Sequence, residues 1–198
     1  MKTKIIFATG NKDKMREIRE ILDGLDAEIL SMKEAGITAD IEENGTTFEE
    51  NALIKAKAVA EFADAIVLAD DSGLEIDYLD KAPGVLSARF MGEDTSYEIK
   101  NQELLNRLAG VPKEQRTARF VCAIAAVFPD GKTCVKRGTI EGYIGDMPAG
   151  SNGFGYDPIF YLDQYHCSTA QLSREQKNAL SHRGNALRAI REELERRI

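Results

Sequence analysis

Ala65-Ile66-Val67-Leu68-Ala69-Asp70-Asp71-Ser72-Gly73 joins an apolar run to two carboxylates without a spacer. Five consecutive apolar residues read as a strand buried on both faces, the kind found in parallel sheets covered by helices. Such a strand carries no charge along its length, so the aspartates are expected where it ends, in a loop at its carboxyl end. Ligands of open α/β sheets bind at that edge. Two carboxylates, the Ser72 hydroxyl and a flexible Gly73 there can hold a hard cation such as Mg²⁺, or position a water. The alternative is a capped turn in which Asp and Ser bond the nearby backbone.

The rest of the chain fits that beginning. Upstream, Ile5 to Thr9 reads as a short buried strand, and Met15, Ile18, Ile21, Leu22 and Leu25 recur at helical spacing. This is strand, tight turn, helix. A second strand is expected over Glu28 to Ser31. Thr47-Phe48-Glu49-Glu50 is a capping box opening a helix to about Ala63, with small residues on its apolar face. Downstream, Leu74 to Tyr78 reads as a separate strand and Pro83-Gly84 as a loop. Thr95-Ser96-Tyr97-Glu98 forms a second capping box, whose helix should stop near Ala109 before Gly110 and Pro112. Residues 118–128 and 133–144 read as two long strands about the turn Pro129-Asp130-Gly131-Lys132. That hairpin makes an all-parallel sheet untenable. A glycine-rich loop over 145–158, a short strand at 159–161, a capping box at Ser173 to Gln176 and a helix from about Gly184 complete the chain. The expected class is α/β with a mixed sheet, over a single domain spanning residues 1–198.

Composition excludes several classes. With 43% hydrophobic and 30% charged residues, the 198-residue chain can bury a core and remain soluble. A net charge of −7 argues against a general nucleic-acid binder, while leaving room for one nucleotide in a locally basic pocket. No apolar run approaches the ~20 residues that cross a bilayer. The apolar stretch after Met1-Lys2-Thr3-Lys4 is too short for a signal-peptide core, so a cytoplasmic location is expected. Three cysteines without Cys-x-x-Cys spacing read as free thiols, and two histidines rule out a multi-histidine metal site. Any metal must be held by carboxylates.

Four further clusters carry chemistry. Thr9-Gly10-Asn11-Lys12-Asp13-Lys14 lies at a strand-to-helix junction, where free N–H groups and the helix dipole favour an anion. It has neither Walker nor dinucleotide-fold glycine spacing. Lys55 lies four residues after Asn51 on one helix face, by default toward solvent. Glu42 and Glu43 precede that helix and could complete an oxygen-ligand set with Asp71. In Gly150-Ser151-Asn152-Gly153-Phe154-Gly155-Tyr156-Asp157-Pro158, glycines flank an aromatic that can wall a flat base or plug the core edge. Ser181-His182-Arg183 offers donors for a carbonyl or phosphate; otherwise Ser181 caps a helix and its neighbours face solvent. A Ser/His/Asp hydrolase is a poor reading, because no Gly-x-Ser-x-Gly elbow exists.

Thr9-Gly10-Asn11-x-x-Lys14, Asp70-Asp71-Ser72-Gly73-Leu74, Phe154-Gly155-Tyr156-Asp157-Pro158 and Ser181-His182-Arg183 occur in the order seen in one family. The chain resembles the inosine triphosphate pyrophosphatase family, and most closely its bacterial branch. Further matches are Thr46-Thr47-Phe48-x-Glu50-Asn51-Ala52, Lys55-Ala56, Pro83-Gly84, Ser87-Ala88-Arg89 and Lys177, and no motif position departs from the pattern. The resemblance spans essentially the whole chain. It implies an elongated mixed β-sheet flanked by helices, two lobes with a central nucleotide cleft, and a homodimer. It also implies Mg²⁺-dependent hydrolysis of XTP, ITP and dITP to the monophosphate and pyrophosphate, which keeps these bases out of DNA and RNA. By the same resemblance Thr9, Gly10, Asn11, Lys12, Asp13 and Lys14 hold the phosphates with Lys55. Asp71 is the catalytic acid–base and a metal ligand with Glu43 (or Glu42), and Ser72 touches substrate. Phe154, Gly155, Tyr156 and Asp157 line the base and sugar pocket, with Phe154 stacking, and Lys177, His182 and Arg183 read the base. Competing expectations are a pyrophosphatase for pyrimidine or other modified triphosphates, and a nucleotide sensor without turnover.

Overall fold

A computed structural model describes residues 2–198. The opening apolar run forms β1 (Thr3–Phe7), which pairs in parallel with β2 (Ala27–Ser31) on one side and β3 (Ile66–Ile76) on the other. Between them lie α1 (Lys12–Ile21) and α2 (Phe48–Ala60). The α2 capping box is formed as read: the Thr47 hydroxyl accepts from Glu50 N, and the Glu50 carboxylate accepts from Thr47 N. Beyond β3 come α3 (Tyr97–Arg107), the hairpin strands β4 (Thr117–Val127) and β5 (Thr133–Ile144), and the short β6 (Phe160–Leu162) and β7 (Cys167–Ser168). The chain finishes with α4 (Arg174–Leu180) and α5 (His182–Glu195). The seven strands order as β2-β1-β3-β4-β5-β6-β7, with β6 antiparallel to both β5 and β7, so the sheet is mixed.

One expectation fails, and at the most informative place. β3 does not end at Ala69. It continues through Asp70, Asp71, Ser72 and Gly73 and absorbs Leu74 to Ile76, read above as a separate strand. The paired aspartates therefore lie within a strand, not in a loop beyond it. Smaller corrections share one cause, since ends are set by local caps. β1 stops at Phe7, leaving Thr9 outside it. α3 is capped by Ser96, whose hydroxyl accepts from Ile99 N, and not by Thr95. α5 begins at His182, two residues before the expected Gly184.

The chain divides into two compact units, each assembled from separated segments. The first holds the described residues up to Asp71, Cys122–Gly138, and those from His182 onward. Its core packs Ile5 and Phe7 of β1, Ile66 and Leu68 of β3, and Cys122, Ile124 and Ala126 of β4 with two helices. Met15, Ile18 and Leu22 come from α1 and its end, and Ala186, Leu187, Ile190 and Leu194 from α5. The second unit holds Ser72–Val121 and Thr139–Ser181. There Leu74 and Ile76 of β3 join Leu104, Leu105 and Leu108 of the α3 region, with Phe120 and Phe160 rings 4.5 Å apart.

Candidate active site

In the first unit the strand-to-helix turn has a specific internal order. Asn11 caps α1, its Oδ1 accepting from Asp13 N at 2.9 Å and Lys14 N at 3.1 Å. Two of the N–H groups expected to await an anion are thus already satisfied. Thr9 Oγ1 accepts from Asn11 N at 3.2 Å, Lys12 is exposed, and Asp13 pairs with Arg16. A Cβ at Gly10 would meet nothing within 4 Å among the described residues. Packing among the described residues does not require glycine there.

Strand geometry explains the two aspartates. Successive side chains of a strand point to opposite faces, so Asp70 follows Ile66 and Leu68 toward α1 and α5, while Asp71 faces α2. On its face, Asp70 lies 3.0 Å from Lys14 Nζ and 3.6 Å from Arg183 Nη2. Arg183 also bonds Glu17 of α1 through Nη1, and Glu17, Asp70 and Arg183 are all buried. Burial alone would push the Asp70 carboxyl up; Lys14, Arg183 and Lys55 outweigh it and hold the group well below its ordinary value. On the other face, Asp71 Oδ2 accepts from Asn51 Nδ2 at 3.1 Å, and Oδ1 lies 4.0 Å from Lys55 Nζ. Lys55 Nζ is 3.0 Å from Glu43 Oε2. Here burial wins: the Asp71 carboxyl is pushed up, helped by the charges of Glu43 and Asp70 and opposed by Lys55 and Asn51. The two neighbours are thus shifted in opposite directions by their surroundings.

Glu43 and Asp71 converge on Lys55, which is largely buried instead of facing solvent. No group of three or more metal-ligating side chains occurs among the described residues. Two carboxylates nevertheless suit Mg²⁺, which takes one or two from protein and the rest from waters and substrate phosphates.

The second unit contains the aromatic loop. Asp157 is buried at its heart: Oδ1 accepts from the Thr169 hydroxyl at 2.8 Å, and Oδ2 accepts from Phe154 N at 2.8 Å and Lys177 Nζ at 2.6 Å. Lys177 Nζ lies 4.8 Å from the Phe154 ring centroid, a cation–π contact. Tyr156 is buried, and its hydroxyl donates to the Ser87 carbonyl at 2.6 Å. Ser72, at the start of this unit, is part-buried on β3 beside Asp71.

A model of the Ham1 family matches residues 5–193. The chain belongs to the Ham1 family. It is 49% identical over 195 residues to a dITP/XTP pyrophosphatase of Thermoanaerobacter pseudethanolicus, covering 98% of each chain. With one from Geobacter sulfurreducens it shares 48% identity over 192 residues, covering 97% of this chain and 96% of the relative. Among solved structures, the Staphylococcus aureus Ham1 protein superposes with a TM-score of 0.89 at 42% identity, covering 99% of this chain and all of that one.

Within this Ham1 chain some of the residues picked from sequence fall into three groups. Lys14 and Arg183 converge on Asp70; Glu43 and Asp71 converge on Lys55; Phe154, Asp157 and Lys177 form one cluster. Glu42 has no place in the Lys55 pair, which Glu43 makes. His182 and Arg183 are buried in the first turn of α5, against the solvent-facing alternative. Sequence reasoning missed Glu17 and Thr169. Glu17 was detectable: it shares a helix face with Lys14 and Ile21, on the edge of the apolar stripe. Thr169 had no local signal, because its role comes from a fold-level contact with Asp157.

Proposed function

We propose that this protein hydrolyses non-standard purine nucleoside triphosphates (XTP, ITP and dITP) to the monophosphate and pyrophosphate. The observation that carries the reading is the unequal pair in β3, with Asp70 locked by cations and Asp71 pushed up beside Asn51, Lys55 and Glu43. Full-length relatives named dITP/XTP pyrophosphatase support the substrate class.

Asp71 acts as general base. It takes a proton from a water whose oxygen bonds to the α-phosphorus, while the bond to the bridging oxygen breaks and pyrophosphate leaves. Lys55 and Lys12 neutralise charge on that leaving group, and Asn51 keeps the Asp71 carboxylate aimed. Glu43 and Asp71 would hold Mg²⁺, which supplies further neutralisation of the phosphates when bound. Lys177 and His182 are assigned to reading the base, with Phe154 stacking. Donors there favour the C6 oxygen of hypoxanthine and xanthine over the amino group of adenine, since buried unpaired donors are costly. Arg183, already engaged by Glu17 and Asp70, would supply any such donor from a braced position. The family resemblance also supports a homodimer and a role in the cytoplasmic nucleotide pool.

Pyrophosphate release from ITP, XTP, dITP, GTP, ATP and dTTP, with Mg²⁺ and with chelator, tests the reading. Fast release confined to the first three and abolished by chelation is expected. Equal turnover of all six would remove the base-reading roles, and no turnover would favour a sensor. Asp71→Asn is expected to lose about 10²–10⁴-fold in kcat with nucleotide binding retained. Unchanged turnover would overturn the assignment of Asp71.

A further inference from the structure

Phe154 stands between two glycines in the left-handed region, Gly153 at φ +71° and Gly155 at φ +66°. Glycine enters the mirror basin as readily as this one, so the direction of the aromatic ring depends on bonds made by the adjoining peptide groups. Two such bonds are present. On the near side, Phe154 N donates to Asp157 Oδ2 at 2.8 Å. On the far side, Asn101 Nδ2 donates to the Gly155 carbonyl at 3.2 Å. Asp157 lies inside the loop itself, whereas Asn101 belongs to α3 and to none of the polar clusters read from the sequence.

The start of α3 reinforces this second bond. Tyr97, one turn before Asn101, meets Tyr156 edge to face with centroids 5.2 Å apart. A Cβ at Gly155 would lie 3.6 Å from the Tyr97 ring, so the helix is in ordinary contact with the loop. Asn101 itself is 5% exposed, and its Oδ1 is buried with no hydrogen-bond donor among the described residues. An unsatisfied buried acceptor costs stability, and an apolar side chain would avoid that cost. The bond from Nδ2 to Gly155 is what the asparagine contributes.

We infer that Asn101 is a positioning residue for the base-binding loop, fixing the Gly155 carbonyl and hence the plane in which Phe154 stacks. This rests on the base-stacking role proposed above. Asn101 reaches no phosphate-handling residue in the same way, so its loss acts on recognition of the base and leaves the hydrolytic step intact.

Asn101→Leu and Asn101→Ser test it, through pyrophosphate release from ITP and ATP together with the thermal midpoint. The expected result is a KM for ITP raised about tenfold, kcat within twofold of wild type, and a narrowed ITP-over-ATP preference. Asn101→Leu should melt no lower than wild type. An unchanged KM in a folded variant would overturn the inference, and so would a joint fall of kcat, KM preference and thermal midpoint, which marks a merely structural residue. If Asn101→Leu does not fold, the same readings on Asn101→Ser decide. Absence of pyrophosphate release by the wild-type protein would instead remove the functional reading, and this inference with it. Normal wild-type turnover with a silent variant would remove the inference alone.

Discussion

At the scale of single residues, adjacent carboxylates of β3 are given different surroundings. Asp70 is held below the ordinary value of 3.8 and Asp71 above it. In the metal-free protein, ¹³C titration of the side-chain carboxyls should show two midpoints on opposite sides of 3.8. A single shared midpoint would contradict the geometry. The signs for stability are opposite. Asp70 contributes stability that is present above pH 3.8 and is lost as pH falls below it toward the depressed folded value. Asp71 binds its proton more readily when folded, so its contribution weakens as pH rises through the window above 3.8. Lys55→Met removes a cation that favours the Asp71 carboxylate, so its midpoint should move higher still. The paired acids were legible in the sequence because they follow an apolar run without a spacer, whereas Lys55 was read by default as facing solvent. The separation of the acids onto two faces was not legible, since it required knowing that the strand continues.

Among the elements, β3 shows why pattern reading stopped short. A charged pair ordinarily marks a strand end, and here the rule gave way because each aspartate finds cationic or amide partners on its own face. Tertiary partners overrode local polarity. The capping boxes at Thr47 and Ser173 were fully legible, because both halves of the bond lie within four residues. Glycines separate along the same line. Gly138 of β5 is pressed against α5, where an added Cβ would collide with the His182 carbonyl. Gly138→Ala should therefore cost about 3 kcal/mol by overpacking against backbone. Gly10, in open space, should accept alanine with little change in stability while raising KM for the triphosphate. Calorimetry and steady-state kinetics on the two variants check this, and equal destabilisation would refute it.

Across the whole molecule, each compact unit is built from segments far apart in sequence. The class, the mixed sheet and the hairpin were legible because they follow from local periodicity and turn chemistry. Two lobes were expected only through the family resemblance, and where the chain divides was not legible, because strands cross from one unit to the other without a linker to mark the place. Cys122 lies at one crossing, fully buried, with its thiol pushed up to about 12, chiefly by burial. A thiol so placed is neither ionised nor reachable. Under native conditions a maleimide should modify Cys134 and Cys167 and spare Cys122 until denaturant unfolds the chain, as peptide mass spectrometry can follow. Early labelling of Cys122 would show that this core opens locally. The order of the segments also matters during translation. Everything in the first unit but α5 leaves the ribosome long before Arg183, so Glu17 and Asp70 wait without the cation that α5 brings, beside an unfilled apolar seat. Closing of the buried Glu17–Arg183–Asp70 cluster therefore waits for the helix that follows every other segment of that unit in the sequence.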